Sequence, residues 1–321
     1  MKELEGWQRV AMSFAGETRH VYRKGEGTGV IVIHEVPGIE PGLVAFAEEI
    51  VAHGHTVWLP QLFGTPGAGF SAGNVLGDVM RFCVRREFSV FATGRTSPVA
   101  AWLRGLAHAL HAQAKGPGVG VVGMCFTGGF ALAMMADAPV VAPVLAEPSL
   151  PAAVGTAGGA WRRGASLGLS PRDLDAVRAS SCEVLGLRFR ADPAVAGRFA
   201  TLERELGDRF LAVEFEGDGH SVLTKHRRDV GVDRVLDFLD EKLDGTTTVR
   251  PRDAELEARV RAALPELADV VITVEPLVVE FVVASRLSPD EYRRLSRIGN
   301  ELTGREPDIR FDRSQASPRV G

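Results

Sequence analysis

Gly120-Val-Val-Gly-Met-Cys-Phe-Thr-Gly-Gly-Phe-Ala-Leu-Ala-Met-Met-Ala136 decides the fold. Its first half is an apolar run of strand length, its second half an Ala/Met-rich helix former, and glycines crowd the break between them. A thiol, Cys125, stands at the break. A strand that turns sharply into a helix lifts the intervening side chain above the end of a parallel sheet. The first N–H groups of that helix have no acceptor within it and can meet developing negative charge. Cys125 is therefore the candidate nucleophile, although a small buried thiol in a tight turn would read the same way.

Upstream, Gly29-Val-Ile-Val-Ile33 is a continuous β-branched run, as expected of a strand covered on both faces. It empties into the loop His34-Glu-Val-Pro-Gly-Ile39, and a helix is predicted from Pro41 to His53. Gly54 to Pro60 reads as a second strand, Val99 to Gln113 as a helix, and Val140 to Leu145 as the strand after the elbow helix. Strand and helix alternate, which predicts a doubly wound, mostly parallel α/β sheet. The stretch from Gln61 to Pro98 has no clear period, and long inserts of this kind often cover active sites. Downstream, an apolar run from Glu183 to Arg188 leads to Asp192, and another beginning at Leu211 ends in Glu-Gly-Asp-Gly-His220. Cys125, Asp192 and His220 thus follow one another in the order nucleophile, acid, base, each at the C-terminal end of a predicted strand.

A boundary is expected near Asp244-Gly-Thr-Thr-Thr-Val-Arg-Pro251, which divides the chain into residues 1–245 and an appendage, 246–321. The appendage reads as helix (254–264), strand (269–274), strand (277–284), helix (289–302) and a short strand near Ile309. Ser288-Pro-Asp-Glu291 supplies a capping box with proline at the first helical position.

With 321 residues, 45% of them hydrophobic, the chain can build a large core. A net charge of -4 gives no general electrostatic reason to bind nucleic acid. Three cysteines, Cys83, Cys125 and Cys182, form no paired spacing and point to a reducing, cytoplasmic setting. The N-terminus lacks the apolar core of a signal peptide, and no run is long enough to imply a membrane span. Apart from His53-x-His55, the histidines show no metal-ligand spacing, and neither a metal nor another cofactor is expected. Gly164-Ala-Ser-Leu-Gly168 matches Gly-x-Ser-x-Gly literally, but no apolar strand feeds it, so Ser166 is not expected to be a nucleophile.

Taken together, His34-Glu-Val-Pro-Gly-Ile39, Gly123-Met-Cys-Phe-Thr-Gly-Gly129, Asp192 after a strand and Gly217-Asp-Gly-His220 resemble the dienelactone hydrolase family of α/β-hydrolases over roughly residues 15 to 245. In that family a cysteine nucleophile is partnered by histidine and aspartate, and a glutamate ending an early strand contacts the resting thiol. The resemblance implies Cys125 as nucleophile, His220 as base, Asp192 as acid and Glu35 as the early glutamate. The implied reaction is hydrolysis of a small ester or lactone, of the carboxymethylenebutenolidase type, through a thioacyl intermediate; a small-molecule substrate is the expected partner, with no nucleic acid and no membrane, and the oligomeric state is left open. Backbone N–H groups of Val36 and Phe126 are then expected at the oxyanion position. His34, adjacent to Glu35 on an extended chain, points the other way and is expected to be structural.

One departure is Thr127, which fills a place where the family commonly has glycine. A β-branched residue there is expected to narrow the backbone approach and bring a hydroxyl near the oxyanion site, making it a candidate substrate contact. The family's small carboxylate substrates also require cationic anchors, and Arg81, Arg85, Arg86 and Arg95 in the insert are the candidates. Two other readings stay open: an acyl-binding protein with an idle site, and a redox sensor pairing Cys125 with Cys83 or Cys182.

Overall fold

A computed structural model describes residues 4–67, 97–149, 164–246, 253–265, 270–274, 278–283 and 287–311. The strands are β1 (Gln8–Phe14), β2 (Glu17–Lys24), β3 (Thr28–Ile33), β4 (Thr56–Pro60), β5 (Lys115–Met124), β6 (Val140–Ala146), β7 (Val184–Phe189), β8 (Phe210–Phe215), β9 (Val271–Val274), β10 (Val278–Val283) and β11 (Glu306–Phe311). The helices are α1 (Pro41–Ala52), α2 (Pro98–Gln113), α3 (Gly128–Met134), α4 (Pro171–Ala179), α5 (Arg198–Leu206), α6 (Asp229–Asp244), α7 (Ala254–Ala262) and α8 (Pro289–Thr303).

Strands β1 to β8 form one sheet in the order β1-β2-β4-β3-β5-β6-β7-β8. From β4 through to β8 every neighbouring pair is parallel, while β1, β2 and β4 pair antiparallel. Strand β3 shows why the innermost parallel strands are almost wholly apolar. Its period of two sends Ile31 and Ile33 into one core and Val30 and Val32 into another, and all four are fully buried. Each such side chain contributes about 1.5–3 kcal/mol by burial. One core is completed by Trp102 and Leu106 of α2 and Phe130 of α3, the other by Phe46 of α1 and Val235 and Leu239 of α6.

The antiparallel hairpin β1–β2 was not expected from the sequence. Most of its side chains are exposed or half-buried, so charged residues replace the β-branched run that marks an inner strand. The helix starts follow their predicted chemistry more closely. Ser97 caps Ala100, Ser170 caps Asp173, and the Ser288–Glu291 capping box forms in both directions.

The C-terminal elements make a second sheet of order β11-β10-β9 with its own core, which includes Val260, Ile272, Phe281 and Leu295. Gly245, left-handed at φ 68°, ends α6 before this unit begins. Strand β11 lies against β8, the last strand of the large sheet. Buried Tyr292 of α8 donates its hydroxyl hydrogen to the Glu214 carbonyl, and the Arg190 guanidinium sits 3.6 Å over its ring. An otherwise open sheet edge is thereby covered. No helix among the described residues is long and apolar enough to cross a membrane.

Candidate active site

Topology places the predicted residues before any side-chain contact is considered. The chain winds one way from β3 to β4 and the other way from β5 to β8, so the switch point falls between β3 and β5. Crevices for ligands open at such points, outside the strand C-termini. Glu35 follows β3 and Cys125 follows β5 there.

Cys125 begins a one-turn 3-10 helix, Cys125–Thr127, and holds φ at +55°, a left-handed conformation that a non-glycine residue adopts only when its surroundings impose it. The imposition comes from tight packing at Gly123. A Cβ there would lie 2.5 Å from the Thr127 carbonyl oxygen and 2.9 Å from the Ala131 Cβ, so only glycine lets the helix fold back this closely on its strand. Phe126, the next residue, is buried and stacks on Phe63 with ring centroids 5.7 Å apart. Its N–H belongs to the first turn after the elbow. Val36 lies just beyond β3, joined to Pro37 by a cis peptide bond.

Thr127 corrects the expectation made for it. It is fully buried, and its hydroxyl faces the carbonyls of Ile33 at 3.0 Å and Met124 at 2.7 Å while accepting from the Met124 N–H at 2.9 Å. The hydroxyl is used to tie the elbow to the ends of β3 and β5, and has no surface to offer a substrate.

His220 meets Asp192 as its place in the sequence suggests. Its Nδ1 donates to Asp192 Oδ2 at 2.7 Å, and Asp192 Oδ1 accepts from the Ala194 N–H at 2.9 Å, so the carboxylate is fixed on both oxygens. On the other side, donor atoms of Glu35, Cys125 and His220 all lie within 4.8 Å of one another. Burial alone would pull the imidazole pKa down. The hydrogen bond to Asp192, the adjacent Cys125 sulfur and the charge of Glu147 more than offset it, pushing His220 up to about 11.

Glu35 is buried and accepts from Ser221 Oγ at 2.9 Å and from Thr224 Oγ1 at 2.7 Å, both on the segment that carries His220. Burial raises its pKa, against the lowering effect of these hydroxyls. Both oxygens of Glu35 and Nδ1 of His220 are engaged by Thr224, Ser221 and Asp192, which leaves Nε2 as the ring nitrogen on the side of the thiol.

His34 is structural, as expected: its Nε2 accepts from the Leu62 N–H at 3.0 Å, so its Nδ1 donates to the Glu35 carbonyl at 3.0 Å. Burial holds it neutral, with a pKa of about 4. Ser166 is exposed, in a segment without regular structure, and its hydroxyl accepts from the Gly168 N–H at 3.2 Å. Arg81, Arg85, Arg86, Arg95 and Cys83 lie outside the described residues. Cys182 donates to the carbonyl of Val140, the first residue of β6, at the end of the sheet opposite Cys125. It is out of position as a resolving thiol.

Three further residues escaped the sequence reading. Ser149 Oγ lies 3.1 Å from Cys125 Sγ and hydrogen-bonds with it. Glu147 directly follows β6, is fully buried at φ +38°, and accepts from the Val222 N–H at 3.1 Å. Burial first, and then the charge of Glu35, raise its pKa well above the carboxylate range. Arg198 is buried near the site, with its guanidinium on the carbonyls of Ser166, Ala194 and Val195. Glu147 occupies the place that nominated Asp192, the turn after an inner parallel strand, and that rule applied to β6 would have found it.

Solved structures share the fold. A protein of Klebsiella pneumoniae subsp. pneumoniae assigned as a dienelactone hydrolase superposes with a TM-score of 0.54 at 16% identity, covering 75% of this chain and 98% of that one. A protein named m3DLH gives 0.52 at 14% identity, with 75% and 98% covered. A dienelactone hydrolase-like promiscuous phosphotriesterase, P91, from metagenomic libraries gives 0.50 at 16% identity, with 74% and 98% covered. At such identities the likeness is one of fold. No curated protein matches the chain. The model of the dienelactone hydrolase family matches residues 17–232, two thirds of the sequence, and the chain therefore belongs to the dienelactone hydrolase family, with the α/β-hydrolase fold.

Proposed function

We propose that this hydrolase cleaves a small carboxylic ester or lactone through a Cys125–His220–Asp192 triad. One observation carries the reading: the Cys125 thiol and the His220 imidazole lie together at the switch-point crevice, while Asp192 holds the other ring nitrogen at 2.7 Å. In this reading the proton of the sulfur rests on His220, as a thiolate–imidazolium pair, and the thiolate attacks the carbonyl carbon. The N–H groups of Val36 and Phe126 receive the oxyanion, a contact whose loss typically costs about 3–4 kcal/mol of barrier. His220 then protonates the leaving alkoxide as the C–O bond breaks, leaving a thioester. Water, deprotonated by the same imidazole, attacks the thioester and releases the acid and the thiol. Asp192 keeps the ring in the required tautomer and stabilises the imidazolium.

Glu35 has a separate role in this reading. Held by Ser221 and Thr224 beside the sulfur, its carboxylate disfavours a second negative charge there and quiets the resting thiol. The test of the whole is p-nitrophenyl acetate turnover with an acyl burst. Wild type should show both, and Cys125→Ala should lose both while remaining folded. Turnover that survives Cys125→Ala would end the proposal.

A further inference from the structure

A second cavity, of about 820 Å³, opens between the end of β8 and helix α8, and none of its lining residues belongs to the Cys125 crevice. That is the volume of a small-ligand site. Its apolar lining comes from Phe215, Tyr292 and Pro307. Its polar lining is dominated by guanidinium groups: Arg228 from the large sheet's side and Arg293, Arg294 and Arg297 from α8, against two carboxylates, Glu216 and Asp290. Asp290 already pairs with Arg293. On a chain of net charge -4, this concentration of positive charge in a concavity runs against the average. Ser296 Oγ, also in the lining, is buried and has no hydrogen-bond partner among the described residues, although a buried hydroxyl normally finds one.

We propose that this cleft binds a small organic phosphate, the guanidinium groups and the Ser296 hydroxyl taking the phosphate oxygens and the apolar lining taking the organic part. Planar guanidinium groups match phosphate oxygens in pairs, and a concave site with aromatic lining suits a compact ligand better than a polymer. Both walls are needed, since α8 supplies three arginines and the large domain the fourth. This gives the C-terminal unit a task beyond covering β8. The site also adjoins the catalytic segment: Glu216 and Arg228 stand at the two ends of the stretch that carries His220, and Arg228 Nη2 donates to the Glu216 carbonyl at 3.4 Å. The proposal does not depend on the chemistry assigned to Cys125.

Isothermal titration of the full chain with inorganic pyrophosphate tests it, with sodium sulfate at matched ionic strength as control. Saturable binding of pyrophosphate is expected, weakened at least about tenfold in Arg297→Gln, since a charged hydrogen bond to phosphate is worth a factor of ten or more. The charge reversal Arg297→Glu should abolish it. Both variants lie on an exposed helix face, and unchanged p-nitrophenyl acetate turnover will show that they fold. The proposal is overturned if wild type shows no saturable heat at millimolar pyrophosphate, if sulfate reproduces the response, or if Arg297→Glu binds as wild type does.

Discussion

Two histidine–aspartate contacts of almost the same geometry stand at opposite ends of the large sheet. At the strand C-termini, His220 meets Asp192 at 2.7 Å, and near the start of β4, His55 meets Asp240 at 2.8 Å. They differ in what the other ring nitrogen does. In His55 it contacts Thr28 Oγ1 at 2.6 Å, and the ring is fully buried, so both nitrogens are consumed in tying α6 to β3 and β4. In His220 it faces a thiol at the mouth of a crevice, and the side chain keeps 28% of its exposure. An imidazole held by a carboxylate is thus a staple or a base depending on whether its second nitrogen is left to a reactant.

Exchange of function between the two pairs would break this comparison most directly. His220→Ala should lower the acylation rate at least about a hundredfold, the usual scale for losing a general base. An unchanged burst rate would refute the role. His55→Ala should do the opposite: kcat/KM for p-nitrophenyl acetate stays within about twofold, while urea denaturation reports a loss of about 2–3 kcal/mol, because Asp240 and Thr28 lose a partner in a closely packed place. Equal losses of activity in both variants would mean that the distinction between staple and base is wrong.

How far this was legible in advance depended on how many groups each role requires from the local sequence. Cys125 announces itself because a glycine-flanked strand-to-helix break is a local pattern, and Asp192 and His220 because each closes an apolar run. The innermost parallel strands, β3 and β6, were readable for the same reason, since burial on both faces leaves almost no polar residue to blur them. Thr127 was misread because its partner, the Ile33 carbonyl, is 94 residues away, and the sequence does not say that the hydroxyl is taken. The β1–β2 hairpin and the His55–Asp240 contact, 185 residues apart in the chain, were hidden likewise. Long-range pairing of half-exposed or polar groups leaves no periodic trace.

Titration sharpens the contrast within the active site. His220, raised to about 11 from an ordinary 6.5, binds its proton more tightly folded than unfolded. Its contribution to stability is full below about pH 6.5 and declines as pH rises towards 11. The stability difference between wild type and His220→Gln should therefore shrink steadily between pH 7 and pH 10.5 in denaturant melts. His34 has the opposite sign. Lowered to about 4, it favours folding above pH 6.5 and loses that contribution as acid protonates the unfolded chain. A His220→Gln difference that grows with pH would show that the imidazole is not held as a cation.

The smallest expected effect concerns Glu35, because it modulates the sulfur without reacting. A carboxylate within 4.8 Å of the thiol opposes thiolate formation by about 1–3 kcal/mol at an effective dielectric between that of water and that of a protein surface. Glu35→Gln keeps the size of the side chain and can still hydrogen-bond Ser221 and Thr224, so it removes charge with little change of shape. Iodoacetamide should then label Cys125 several-fold faster in the unliganded variant. Burial raises the Glu35 pKa and acid removes its charge, so the ratio of variant to wild-type rates should be larger at high pH than at low pH. A ratio below one would invert the role and make Glu35 an activator. A ratio above one but independent of pH would instead place its effect in packing.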